Sequence, residues 1–421
     1  MRYREGVEAS WERRIRALLP SIAVMPYFCL DREFGRCMTF AVTSGLMTIA
    51  DLHVISASST IRSWARIPTA ELIRRRLRVR FVLAGQIVVN DQMLTFSHRL
   101  LDLEAGTEYS LAPIEKHISH LYEIEEQIVV DVLDCILPSL GKQQILSTIA
   151  GARRNIDART ALLQAIVAMH TLTSRSFARS ERLLHKAQQI DPGYAEAFAW
   201  NARLLSIQLG QGWSRDRMST AREALRLADL AVAKNDRNAL ALATAGHCHS
   251  FVLKDYEGGL SLLERALEAC VNEPFAWLFS GVSLAYTGRP ATGVRRAQYA
   301  LTLSPYDRCT YMFDNFTALC HYANGDFENA RRLSARSVAA NPNYSSTYRV
   351  LAASLAALGR IGEARQAGQR MLEIEPGYPS IAEQSVPFTN PLQKEQYLNH
   401  IERAGIISRR TAQRRPPEAA E

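Results

Sequence analysis

The chain of 421 residues contains no apolar run as long as the ~18 residues that a membrane-spanning helix needs, so nothing in it reads as a membrane span. Lysine is scarce: six of the 50 basic residues are lysine and the rest arginine. The net charge of +8 is spread along the chain. A nucleic-acid site favours a clustered stripe instead, so the excess reads as a solvated surface. Disulfide spacing is also missing. The seven cysteines are odd in number, widely scattered and never paired as C-x-x-C. Reduced thiols in a cytoplasmic protein fit that pattern, and a disulfide framework does not.

The short motifs that carry chemistry are absent as well. No G-x-x-x-x-G-K-[ST] occurs, because Gly141-Lys142 lacks both the upstream glycine and the hydroxyl residue. No G-x-G-x-x-G follows a strand, and Gly210-Gln-Gly212 sits in a polar insertion between helices. Neither H-E-x-x-H nor G-x-S-x-G is found. The sequence therefore nominates no catalytic residue, no metal ligand set and no cofactor.

What is there is ordinary globular material, 47% hydrophobic and 22% charged. At roughly 150 residues per domain the length suggests two or three domains. Arg13, Arg14 and Arg16 precede an apolar stretch over residues 17–30 that superficially resembles a signal peptide. Pro20 and Pro26 interrupt it, and Glu5, Glu8 and Glu12 spoil its basic lead. The stretch reads better as a buried strand over 21–27 behind a lead segment, 1–17.

Residues 18–140 alternate strand and helix patterns. The expected order is strand 21–27, helix 40–52, strand 53–58 and a short helix 69–77 behind Pro68. A hairpin follows: strand 80–89, a turn at Asn90-Asp91 and strand 93–103, alternating at Leu94, Phe96, His98 and Leu100. A further strand, 108–111, and an amphipathic helix, 121–136, complete a small mixed α/β domain.

From about residue 156 strand signals vanish and a period emerges. Loop anchors at Pro192, Asp236, Val271, Pro305, Pro342 and Pro376 are separated by 44, 35, 34, 37 and 34 residues. These intervals cluster on the tetratricopeptide period of 34, and the 44 contains a polar insertion, 211–219. Large residues stand six positions after the anchors (Phe198, Leu242, Trp277, Tyr311, Tyr348). Small ones recur twelve positions before them (Ser180, Ala224, Gly259, Gly293, Ala330, Ala364) and, in most units, ten after (Ala202, Gly246, Gly281, Ala352). Such phasing describes helix pairs that stack and bury their apolar faces on one another. The expected array spans 155–376 in about five repeats, the first of them degenerate. A capping segment, 377–406, and a disordered basic tail, 407–421, follow. The fold class is α+β: a small mixed α/β domain and then an all-α solenoid.

Three stretches carry a family resemblance: Pro20-Ser-Ile-Ala-Val-Met-Pro-Tyr27, Arg80-Phe-Val-Leu-Ala-Gly-Gln86 and Leu101-Asp-Leu-Glu-Ala-Gly-Thr107. With Phe388-Thr-Asn-Pro391 and the segment from Tyr397 to Gly405, they resemble the TolB-like amino-terminal domain and tetratricopeptide array of bacterial regulatory proteins. In that family the module sits behind a class III adenylate or guanylate cyclase domain or a winged-helix domain. About twenty residues precede the first strand here, too few for either effector. The resemblance thus implies a stand-alone sensory or interaction half.

Few residues stand out as sites. His247-Cys248-His249 looks like a ligand set, but consecutive helical positions diverge and cannot close around one metal. His117 and His120 share a helix face without a convincing third ligand. Arg74, Arg75, Arg76 and Arg78 form the densest basic run. It is either an anion or nucleic-acid contact or a solvated helix end complementing the dipole. The better binding candidate is the inner face of the solenoid, where the phasing places Arg203, His247, Val282, Met312, Phe316 and Arg349. Apolar in the middle and basic at both ends, that face suits a peptide with apolar anchors. The expected function is a non-catalytic scaffold of bacterial regulation or signalling that binds a protein partner in this groove. The alternatives are a transcriptional regulator, acting directly or through a DNA-binding partner, and the regulatory half of an adenylate cyclase-type system.

Overall fold

The computed structural model describes residues 19–63, 69–137 and 155–408. The expectations for the lead segment and for most of the basic tail lie outside these residues.

The amino-terminal part is one mixed sheet with helices on both faces. Its strands are β1 (Ser21–Val24), β2 (His53–Val54), β3 (Phe81–Asn90), β4 (Met93–Asp102), β5 (Thr107–Ser110) and β6 (Ile114–His117). The order is β2-β1-β3-β4-β5, with β6 also pairing to β4. β1 runs parallel to β2 and β3, and the other pairings are antiparallel. Asp91 at φ 53° turns the β3–β4 hairpin, where Asn90 pairs with Met93. The helices are α1 (Arg32–Met47), α2 (Ala57–Ser63), α3 (Ala70–Leu77) and α4 (Leu121–Ile136). α1 and α4 cover one face around Ile22, Leu83, Phe96 and Ile128. α3 covers the other face through Ile73 and Leu77, against Ala23 and Val82.

Local details differ from expectation, and the strand expected over 21–27 is regular only over Ser21–Val24. The first long helix begins at Arg32, because the Asp31 side chain accepts from the Glu33 and Phe34 N–H groups. Its polar first turn hides it from a hydrophobicity pattern. The strand expected over 53–58 ends at Val54. There the chain leaves the sheet, and Ser56 N donates to Leu303 O of the solenoid (2.9 Å). β6 has no signal in the sequence, since four residues with two charges carry no period.

The carboxyl-terminal part is a solenoid of six antiparallel helix pairs. They are α5/α6 (Ile156–Met169, Ser174–Ile190), α7/α8 (Ala195–Gly210, Arg217–Lys234) and α9/α10 (Ala239–Cys248, Tyr256–Ala269). Then follow α11/α12 (Pro274–Tyr286, Pro290–Leu303), α13/α14 (Thr310–Ala323, Phe327–Ala340) and α15/α16 (Ser345–Ala357, Ile361–Ile374). Five loop-to-loop intervals bound five units, and the pair ahead of the first loop makes six. The small phases do what their positions imply. A Cβ on Gly281 would stand 2.7 Å from Gly293 O, and one on Gly246 2.7 Å from Gly259 O. α17 (Ala382–Ser385) leads to α18 (Pro391–Arg403), which packs on the last pair. The following turn comes so close that a Cβ on Gly368 would collide with Ala404 O. No helix among the described residues is long and apolar enough to cross a membrane.

The two parts are joined by specific polar contacts. Asn272, in the loop after α10, donates Nδ2–H towards Met47 O, Ile49 O and Leu52 O (3.2, 3.3 and 2.8 Å). Its Oδ1 accepts from Val54 N (3.2 Å). Ser56 Oγ lies 2.7 Å from Ser304 Oγ, and Tyr306 N donates to Ser59 Oγ (3.2 Å). A largely buried ion pair, Arg159–Glu125, ties α5 to α4.

Candidate functional site

The first helices of successive pairs line the inner side of the solenoid, and the inner-face residues converge there. They do not form an open groove. The superhelix is tight enough for its second pair to meet its fifth and sixth. Arg203 of α7 is 2% exposed, and its Nη2 points at Met312 Sδ of α13 (3.8 Å). Its guanidinium carbon stands 3.5 Å from the Phe275 ring centroid and 4.7 Å from that of Trp200. Arg203 Nε and Nη1 find no hydrogen-bond acceptor among the described residues. Val282 and Met312 are buried in the same core. His247 stacks on Phe279 (4.1 Å between centroids) and meets Phe316 edge-on (5.8 Å). Arg349 pairs with buried Glu375 (3.0 Å) and donates to Gly210 O (3.3 Å) at the end of α7.

Burial sets the protonation states here. It drives the His247 pKa down to about 3, with Arg203 and Lys254 acting the same way. The Glu273 carboxyl, which accepts from Phe275 N at the start of α11, is pushed up to about 7 by burial. Arg203 itself is lowered by burial. A buried cation with open N–H groups is a strong donor set waiting for an anion.

The basic run lies elsewhere. Arg74, Arg75 and Arg76 are exposed on the last turn of α3, and Arg78 caps it in the left-handed region at φ 53°. Arg80 is drawn off to Asp102 (2.8 Å).

Other arrangements could not be read from sequence. Gln211 and Ser345 clasp the second pair to the sixth. His170, Asp307 and Cys309 come together from the first and fifth, with one donor atom of each within 4.8 Å of the others. His170 Nδ1 and Cys309 Sγ are 3.1 Å apart. These three residue types could hold a metal ion. They are far apart in the chain, so only coil closure reveals them. At the junction of α1 and α2 with α5 and α6 lies a cavity of about 620 Å³.

No family model matches the chain. It is 20% identical over 218 residues to a putative adenylate cyclase 3 of Rhizobium meliloti (strain 1021), a match covering 51% of this chain and 37% of that protein. The chain thus spans little more than a third of the length of this curated relative. Among solved structures, it is similar to a thermophilic tetratricopeptide protein of Thermus thermophilus: 18% identity, 47% of this chain, 98% of that one, TM-score 0.36. It is also similar to a tetratricopeptide repeat protein of Parabacteroides merdae: 11% identity, 68% and 95% covered, TM-score 0.37.

Proposed function

We propose that the chain is a non-catalytic protein-interaction scaffold of bacterial regulation or signalling, with a TolB-like α/β domain held against a tetratricopeptide-like coil. The partner enters along the inner face lined by Arg203, His247, Val282, Met312, Phe316 and Arg349. Arg203 carries the reading: it is buried on that face, with Nε and Nη1 lacking an acceptor among the described residues. A partner segment with apolar anchors and one carboxylate supplies what the guanidinium lacks. Binding requires the coil to open, because these residues now cover one another.

The test is affinity purification of the tagged full chain from its native cell, with and without nuclease, alongside Arg203→Met. Methionine keeps the packing and removes the charge. A stoichiometric protein that survives nuclease and is lost with Arg203→Met is expected. Recovery only through DNA overturns the scaffold and favours a transcriptional regulator, with Arg74, Arg75, Arg76 and Arg78 the first charges to reverse.

The match to a putative adenylate cyclase favours a second, narrower reading, in which the chain is the regulatory half of a cyclase-type system. The captured partner is then a cyclase catalytic domain, and the chain alone makes no cyclic nucleotide.

A further inference from the structure

The cavity at the junction of the two parts has an arginine rim over an apolar floor. Arg36 comes from α1, and Arg175, Arg179 and Arg182 come from α6. The α6 positions fall at i, i+4 and i+7, on one helical face. Arg308 reaches in from the loop before α13. The single carboxylate in the lining, Glu33, is engaged by Gln164 Nε2 (2.7 Å). Phe40, Leu163 and Val167 supply the floor, and Val167 is 41% exposed.

Among the described residues, the α6 arginines have no such local partner as some arginines on later second helices have. On α8, α14 and α16 one arginine each is matched by a glutamate three residues away: Arg226 with Glu223, Arg331 with Glu328, Arg370 with Glu373. Arg36, Arg175, Arg179 and Arg182 have no ion pair among the described residues, and all four are exposed. Like charges gathered around a concave, low-dielectric wall repel one another and concentrate anions. Guanidinium groups bind phosphate oxygens in a bidentate manner, while an apolar floor gives such a ligand a place for its uncharged body. A volume of about 620 Å³ lies well within the range of small-molecule sites, ~300–1,000 Å³.

We propose that this junction is a binding site for a phosphorylated small molecule with an apolar body of about nucleotide size. The site is separate from the inner-face one, because it uses α1, α2, α5, α6 and the loop before α13, and none of the six inner-face residues. A ligand there bridges the α/β domain and the first helix pair, so its occupancy stiffens the joint between them.

The experiment is calorimetric titration of the full chain with ATP, dodecyl phosphate and inorganic pyrophosphate, one at a time. ATP distinguishes an aromatic body, dodecyl phosphate an acyl body, and pyrophosphate has neither. Saturable binding of ATP or dodecyl phosphate, at least about tenfold tighter than pyrophosphate, is expected. Arg175→Glu/Arg179→Glu weakens it by about tenfold or more, the loss of one or two charge-assisted bonds. Val167→Asp, at an exposed floor position, weakens it as well. Arg74→Glu/Arg75→Glu, on the far α3, leaves it unchanged. The proposal is overturned if neither organic phosphate binds, if the α6 double variant binds like the parent, or if pyrophosphate binds as tightly. All four substitutions in the double variants are at exposed positions, and unchanged far-ultraviolet circular dichroism separates lost binding from lost fold.

Discussion

Gln211, in the second helix pair, and Ser345, in the sixth, stand 134 residues apart and are joined by two hydrogen bonds. Gln211 Oε1 accepts from Ser345 N and from Ser345 Oγ, each at 2.9 Å, while its Nε2 donates to Asn343 O (2.7 Å). Gln211 is fully buried. One amide thus satisfies backbone groups at the start of α15 and closes the coil on itself.

Gln211→Ala leaves a buried N–H and a carbonyl without partners, at about 1–3 kcal/mol. The expected result is a lower urea midpoint and a larger radius of gyration by X-ray scattering, as the sixth pair moves away from the second. A variant that loses stability but keeps its radius shows that other contacts hold the coil closed.

Asn272 plays the corresponding part between the two halves. With Asn272→Ala, the Met47, Ile49 and Leu52 carbonyls and the Val54 N–H lose a shared partner. A loss of about 1–3 kcal/mol is expected. Amide hydrogen exchange places it: protection falls first over residues 47–56, while the inner pairs of the solenoid keep theirs. Uniform loss across the chain contradicts a local clasp.

The parts of this architecture carried by short-range pattern are legible in the sequence. The helix Leu121–Ile136 and the hairpin Phe81–Asp102 follow from local periodicity and a turn. The helix pairs follow from small residues at fixed phases, since Gly281 and Gly293 must touch wherever the pairs stack. The same phasing places Arg203, Met312, His247 and Phe316 on one face. Their mutual burial does not follow from it, because burial depends on the pitch of the superhelix, which accumulates from small rotations per pair. The Asn272 clasp and the α6 arginine rim are contacts between distant segments, and residue spacing holds no record of them.

Gly281→Ala tests the stacking. Its methyl group has Gly293 O at 2.7 Å and Ala297 N at 3.0 Å, both backbone atoms that cannot rotate away. Overpacking of this kind costs about 1–3 kcal/mol. Gly288→Ala is not a fair control, because Gly288 sits at φ +83°, where any side chain is strained. Gly362→Ala is the fair one: nothing lies within 4 Å of the added carbon. Gly281→Ala is expected to lower the thermal midpoint, and Gly362→Ala, which adds helix propensity in α16, to leave it unchanged or raise it slightly.

Three buried ionisable groups shape the pH dependence of stability. His247, held down to about 3, and His53, lowered to about 4, both by burial, remain neutral in the fold. Unfolded, each takes up a proton below about pH 6.5. Their contribution is therefore complete above that pH and is lost as pH falls towards 4 and 3. Glu273, raised to about 7, has the opposite sign. Its contribution is complete below its ordinary value of about 4.5 and is lost as pH rises through 7. Between these limits two histidines outweigh one glutamate, so stability rises with pH through about 6.5 and levels off near 7. Urea midpoints from about pH 4 to about pH 8 measure this directly. In Glu273→Gln the amide oxygen can still accept from Phe275 N, nothing ionises, and the rise between about pH 4.5 and 6.5 steepens by about one proton. In His247→Phe the new ring lies among Phe251, Phe279 and Phe316, and the acid-side slope falls by about one proton. An acid limb unchanged by His247→Phe would show that the imidazole is solvated on the inner face, and the coil would then be open where the structure has it closed.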